Sequence, residues 1–272
     1  MEDEIERRID WEDIWRRQFE RATFQLKTKE FEDRAEAWNS AMRGNTDTGY
    51  VDELLASMEL SSDTSMLDVG CGSGIISIPL AKKVQHVTAL DLSPAMLDLT
   101  MRYAMEEGVT NISTVTKDWL HVQIGVDVGV HDVVLASRCL QVENLRRFLL
   151  QMDNAARRSC YLTWGTGARE DDAELCVALG LEYRPQPSYQ IVYNLLYDMG
   201  IFANVKIHSG PVTRWFRDLD DAVKQLVRGR PISPEATEKL KAYFKEKLPY
   251  REGRYWRVIR APWALISWPK KD

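Results

Sequence analysis

Apolar positions along the chain alternate between two rhythms, and the alternation itself predicts an architecture. Short apolar runs at 66–69, 86–91, 111–116, 131–136 and 159–164 have the length of buried strands. Between them, 75–83, 94–107 and 143–156 place apolar side chains three and four apart, the period of a helix with one buried face. Ser93 is placed to cap the second of these helices, Pro94 suits its first position, and Gly108 stops it. Strands alternating with helices in this way imply parallel pairing, right-handed crossovers and helices on both faces. The fold class is a doubly wound, Rossmann-like α/β sheet.

The flanks carry different rhythms. Residues 1–43 read as two helices: Trp11, Ile14, Trp15 and Phe19 share one face from which Arg16, Arg17 and Glu20 fall away, and Phe24, Phe31, Ala35 and Trp38 extend the apolar demand. Such a face has to be buried, either over the main domain or against a second copy in a homodimer. After a polar link at 43–50, VDELLASMEL reads as a helix leading to the first strand. Beyond 165, REDDAELCVALGLEY looks helical, RPQP breaks it, and SYQIVYNLLYDMG is apolar on enough sides to be buried or to cap a pocket. A strand at 203–208 precedes two charged helices, DLDDAVKQLVRG and SPEATEKLKAYFKEKL, and RYWRVIRAPWALISWPK reads as the last strand. The expected plan is an N-terminal helical cover (1–45) and a main domain (46–272) with helical insertions at about 168–202 and 217–248.

Composition narrows the classes. With 272 residues, 44% hydrophobic and 28% charged, the chain suits one large soluble domain with additions. A net charge of -5 argues against a nucleic-acid partner. Cys71, Cys139, Cys160 and Cys176 form no CxxC pair, and His86, His121, His131 and His208 have no ligand spacing, so no metal is expected. MEDEIERR is unlike a secretory signal, and no apolar run approaches the about 18 residues of a membrane span. The default expectation is a cytoplasmic protein with no membrane partner.

Chemistry concentrates at MLDVGCGSG, residues 66–74, where an apolar run meets three alternate glycines, Gly70, Gly72 and Gly74, ahead of a helical segment. Alternate glycines let the backbone turn with positive φ and let a ligand approach it closely, and the helix behind them aims free N–H groups at the same space. A dinucleotide fingerprint needs glycine at the sixth position from Gly70, where this chain has Ile75. The pattern starting at Asp68 instead resembles the first motif of class I S-adenosylmethionine-dependent methyltransferases. Asp91, closing a second strand 21 residues after Gly70, and Asp118, closing a third, extend the resemblance over about residues 45–165. A plainer alternative is that Asp68 and Asp91 merely cap helices.

The resemblance implies a seven-stranded sheet, mostly parallel, closed by an antiparallel hairpin whose two late strands are joined by a helical insert. It also implies S-adenosylmethionine as cofactor and S-adenosylhomocysteine as product. Gly70, Gly72 and Gly74 would face the adenosyl and methionine portions, with Asp68 near the amino group. Asp91 would take the ribose hydroxyls, Leu92 would flank adenine, Asp118 and Trp119 would meet its amino edge and face, and the Ser137 carbonyl would be a further contact for the methionine amino group. Because the sulfonium is already activated, no fixed acid-base residue is required, and none is identified here.

For the acceptor, Arg138 would bind a carboxylate or phosphate, or else form a surface salt bridge. Tyr50, Trp164, Tyr189 and Tyr193 would line an aromatic pocket, or else pack in the core. The fourth strand runs into LASRCLQ and lacks the Asn-Pro-Pro-Tyr type segment of enzymes that methylate nucleic-acid amino groups or protein glutamine, which points to a small-molecule acceptor. Two other readings stay open: a nucleotide-dependent Rossmann oxidoreductase, and a regulatory protein that binds S-adenosylmethionine without transferring its methyl group.

Overall fold

A computed structural model describes residues 9–22, 49–227 and 232–270. The predicted alternation is realised as β1 (Ser65–Val69), β2 (His86–Asp91), β3 (Ile112–Thr116), β4 (His131–Ser137) and β5 (Ala156–Gly165), all parallel. The intervening helices are α3 (Ser77–Ala81), α4 (Pro94–Glu106) and α5 (Leu145–Ala155). With β6 (Asn204–His208) and β10 (Trp263–Pro269) they form a seven-stranded sheet of order β3-β2-β1-β4-β5-β10-β6, in which β10 is antiparallel to both neighbours. The order reverses between β1 and β4, and an open sheet binds ligands at the carboxyl ends of the strands beside such a reversal.

Both faces of the sheet are covered, which is why its strands read as apolar runs rather than alternations. Met66, Val133, Leu135 and Leu265 face one layer with Leu54, on α2 (Tyr50–Ala56), and Leu80. Leu67, Val134, Leu162 and Ile266 face the other, with Phe148, Leu149 and Trp15. α4 starts as expected, with the Ser93 hydroxyl accepting from the Met96 amide at 3.3 Å, a cap worth about 1 kcal/mol.

The first N-terminal helix, α1 (Trp11–Arg21), lies over the main domain. Trp15 is fully buried, its indole N–H donates to the Val142 carbonyl at 2.7 Å, and its ring tilts against Trp164. The second expected helix, with Phe24, Phe31, Ala35 and Trp38, lies outside the described residues.

The late part of the chain departs from expectation. RYWRVIRAPWALISWPK is two strands: β9 (Arg254–Arg260) pairs with β7 (Pro211–Phe216) and β8 (Tyr250–Arg251) in a separate three-stranded sheet, and only β10 joins the main one. The insertion between β6 and β10 is therefore not purely helical. Its helices, α8 (Leu219–Val227) and α9 (Pro234–Lys247), share an apolar core with Phe216 of β7 and with Leu175 of α6 (Glu170–Leu179). Asp171 on α6, almost fully buried, bridges Arg214 of β7 and Arg257 of β9 at 2.9 Å each and fixes the small sheet to the helix. This module is entered after β5 and β6 and left before β10, at the carboxyl end of the main sheet.

Candidate cofactor and acceptor site

The glycine turn is built around the end of β2. The amides of Gly70 and Cys71 donate to the Leu90 carbonyl at 2.7 and 3.0 Å, and Gly72 donates to the Asp91 carboxylate at 2.8 Å. All three predicted glycines have positive φ, each for its own reason. A Cβ on Gly70 would lie 2.6 Å from the Cys139 Cβ, and one on Gly74 would lie 2.8 Å from a Thr100 methyl, so these two are required by packing. A Cβ on Gly72 would meet no atom of the described residues within 4 Å. Its Cα borders open space, the bare floor a ligand needs. From below, the Thr100 hydroxyl donates to the Gly72 carbonyl at 2.8 Å.

Asp68 is buried at the end of β1 and accepts from the Ser77 hydroxyl at 2.5 Å. Burial pushes its pKa up to about 7 against the opposing Ser77 hydrogen bond, and the Asp91 charge adds to the rise. Asp91 is also raised by burial, while hydrogen bonds from the amides of Ser93 and Gly72 oppose the shift. One of its oxygens accepts from the Ser93 amide at 2.9 Å and the other from the Gly72 amide at 2.8 Å, and the Leu92 amide also acts on the carboxylate. The side chain of Leu92, next to it, is left exposed.

Lys117 donates its amide to the Asp91 carbonyl at 3.1 Å, so Asp118 stands beside Asp91 on the same rim. It caps a short 3₁₀ turn, Trp119–His121, through the Leu120 amide and contacts the His121 ring at 2.9 Å. Trp119 does not stand on that rim. It is buried edge-on against Phe148 and donates its indole N–H to the Phe148 carbonyl at 3.2 Å, so its ring face is not offered to adenine.

On the acceptor side the structure joins three predicted residues and separates the others. The Tyr50 hydroxyl lies 2.7 Å from the Ser137 hydroxyl and 2.6 Å from that of Thr163, and the Arg138 guanidinium rests 3.6 Å from the centre of the Tyr50 ring. Trp164 points to the opposite face of the sheet, packed on Trp15 with its indole N–H on the Pro187 carbonyl. Tyr189 and Tyr193, on α7 (Tyr189–Asp198), line a groove of about 990 Å³ with Trp11, Ile14 and Asn204, which includes no residue of the glycine turn. The four aromatics therefore do not form one pocket, because the sheet itself lies between Tyr50 and Trp164.

Sequence reasoning did not pick out Ser77, Thr100, Cys139 or Thr163, which brace the site from beneath. They are small residues, Ser77, Thr100 and Thr163 inside regular elements and Cys139 in the loop after β4, and carry no local signal. Among the described residues no cluster has the makings of a metal site, and no helix is long and apolar enough to cross a membrane.

Comparison with known proteins agrees with this geometry. Residues 66–158 match a family described as a methyltransferase domain. An uncharacterised protein of Haemophilus influenzae is 31% identical over 81% of this chain and 82% of its own length. Mouse EEF1A lysine methyltransferase 2 is 24% identical over 52% of the chain, which spans 57% of that relative's length. Magnesium protoporphyrin IX methyltransferase from Synechocystis, solved with bound S-adenosylhomocysteine, superposes with a TM-score of 0.50 at 17% identity and covers 95% of this chain and 93% of its own. The oxidoreductase alternative loses its footing, since the matching family model and the named relatives are methyltransferases.

Proposed function

This chain belongs to the class I S-adenosylmethionine-dependent methyltransferases, and from that premise we propose that it transfers the cofactor's methyl group to a small-molecule acceptor by in-line displacement. One observation carries the reading: the carboxylate that closes β2 is hydrogen-bonded to the middle glycine of the turn, beside open backbone. When bound, S-adenosylmethionine supplies a methyl group already activated on a cationic sulfur.

The protein's part is to hold and orient. Asp91 accepts from the ribose hydroxyls, Leu92 lies along adenine, and Asp118 accepts from the adenine amino group. Asp68 and the Ser137 carbonyl serve the methionine amino group, and Gly70, Gly72 and Gly74 form the floor. The module leaves and rejoins the sheet at the carboxyl ends of β5 and β6, the edge where the acceptor is held, and a positioned, water-shielded acceptor favours transfer. LASRCLQ after β4 supports a small acceptor.

The test is to incubate the protein with S-adenosylmethionine and either the dialysable or the retained fraction of a cell extract. S-adenosylhomocysteine is expected to accumulate with the dialysable fraction. Formation only with retained macromolecules would overturn the choice of acceptor, and tight cofactor binding without turnover in either would favour a non-catalytic role.

A further inference from the structure

We propose that Arg138 is the receptor for an oxyanion, a carboxylate or a phosphate, carried by the methyl acceptor; this deepens the methyltransferase reading and rests on it. Arg138 is the first residue beyond β4, beside the strand that delivers the glycine turn, and it takes a left-handed conformation (φ 56) that residues with a side chain rarely adopt. Two hydrogen bonds hold its backbone there: its amide donates to the Thr163 carbonyl at 3.1 Å, and the Gln141 side chain donates to its carbonyl at 3.3 Å. Uncommon backbone kept at the rim of a site aims a side chain where an ordinary conformation would not.

The side chain is pre-positioned as well. Its guanidinium rests on the Tyr50 ring, and that ring is fixed by the hydroxyls of Ser137 and Thr163 and by the edge-on Trp263 at 4.7 Å. Behind Trp263, His208 stacks at 4.1 Å, with its Nδ1 3.0 Å from a Glu53 carboxylate oxygen. Contact through the face leaves the N–H groups on the edge of the guanidinium in the geometry that meets an oxyanion two-pronged.

Several exposed arginines are neutralised by a carboxylate: Arg16 pairs with Asp13, Arg146 with Glu12, Arg157 with Asp132 and Arg184 with Glu182. Among the described residues, Arg138 has no such carboxylate. Asp91, and Asp68 once pH exceeds about 7, make the neighbouring strand ends acidic, and a cation here offsets their repulsion of an anionic acceptor.

The experiment titrates the S-adenosylhomocysteine-loaded protein with benzoate, inorganic phosphate and the neutral benzamide by calorimetry. Benzoate or phosphate is expected to bind and benzamide not, the tighter anion naming the group. Arg138→Gln is expected to weaken that anion at least tenfold, and Arg138→Lys, which keeps charge without the planar fork, at least threefold. Wild-type protein that takes up neither anion, or variants that bind them as well as wild type, would overturn the proposal. Failure of the wild type to bind S-adenosylhomocysteine would instead strike the cofactor reading beneath it.

Discussion

The amide of Gly72 and a carboxylate oxygen of Asp91 lie 2.8 Å apart, so the turn after β1 is tied to the acid that ends β2. The bond fixes the distance between the glycine turn and the acid proposed to take the ribose before any ligand arrives. It also places the second carboxylate oxygen on the Ser93 amide, leaving the carboxylate in one orientation.

The three glycines therefore respond differently to a methyl group. Gly72→Ala meets no atom of the described residues and is expected to cost only about 1 kcal/mol for its left-handed backbone, a melting shift of about 2–4 °C, while weakening S-adenosylmethionine at least tenfold. Gly70→Ala drives a Cβ into Cys139 and is expected to cost about 2–4 kcal/mol from strain and overpacking together. Thermal melts beside ligand titrations check the contrast. Equal effects of the two on affinity per degree of melting lost would show that the Gly72 surface is not where the ligand lies.

Asp68 gives a pH signature. Its folded pKa of about 7 exceeds the unfolded 3.8, so between these values the unfolded chain has lost a proton that the folded one keeps. Stability from this group is full at the acid end, falls as pH climbs from about 4 to about 7, and is flat above that. Asp68→Asn removes the dependence. The variant is expected to melt higher than wild type at about pH 8, with a smaller gap at about pH 5.5, and, on the proposed role of Asp68 as counter-charge to the ligand's amino group, to bind S-adenosylmethionine more weakly. A gap that does not change with pH would contradict the assignment.

Asp171 tests the independence of the added module. Asp171→Ala leaves Arg214 and Arg257 without their shared carboxylate, a loss of about 3–5 kcal/mol for a buried pair, partly relieved at Arg257 by Glu174 at 2.7 Å. Limited proteolysis is expected to cut first within residues 209–262, with cofactor affinity unchanged. First cleavage within β1 to β4 would mean that the module and the cofactor site share one unfolding unit.

Much of this was legible in the chain because it rests on local signals. The five parallel strands stand out as apolar runs, α4 carries its own cap and stop, and Asp68 and Asp91 close strands beside a glycine turn. The small sheet was hidden for a physical reason: RYWRVIR and WALISWP are both strand-like, and the break between them, Ala261 and Pro262, is too short to show that they serve different sheets. β7, PVTRWF, was missed between a strand and a helix that were expected. Aromatic direction was hidden too. Trp119, Trp164 and Tyr50 all lie near the rim in sequence, but strand alternation and helix packing decide which face each one fills, and those are properties of the assembled sheet.

The most direct test of the central claim is calorimetric titration of S-adenosylmethionine into wild type and Asp91→Ala. Wild type is expected to bind, and the variant to bind at least tenfold more weakly, a difference of about 1.4 kcal/mol or more, while keeping its fold by circular dichroism. Equal affinity in the two proteins would contradict it.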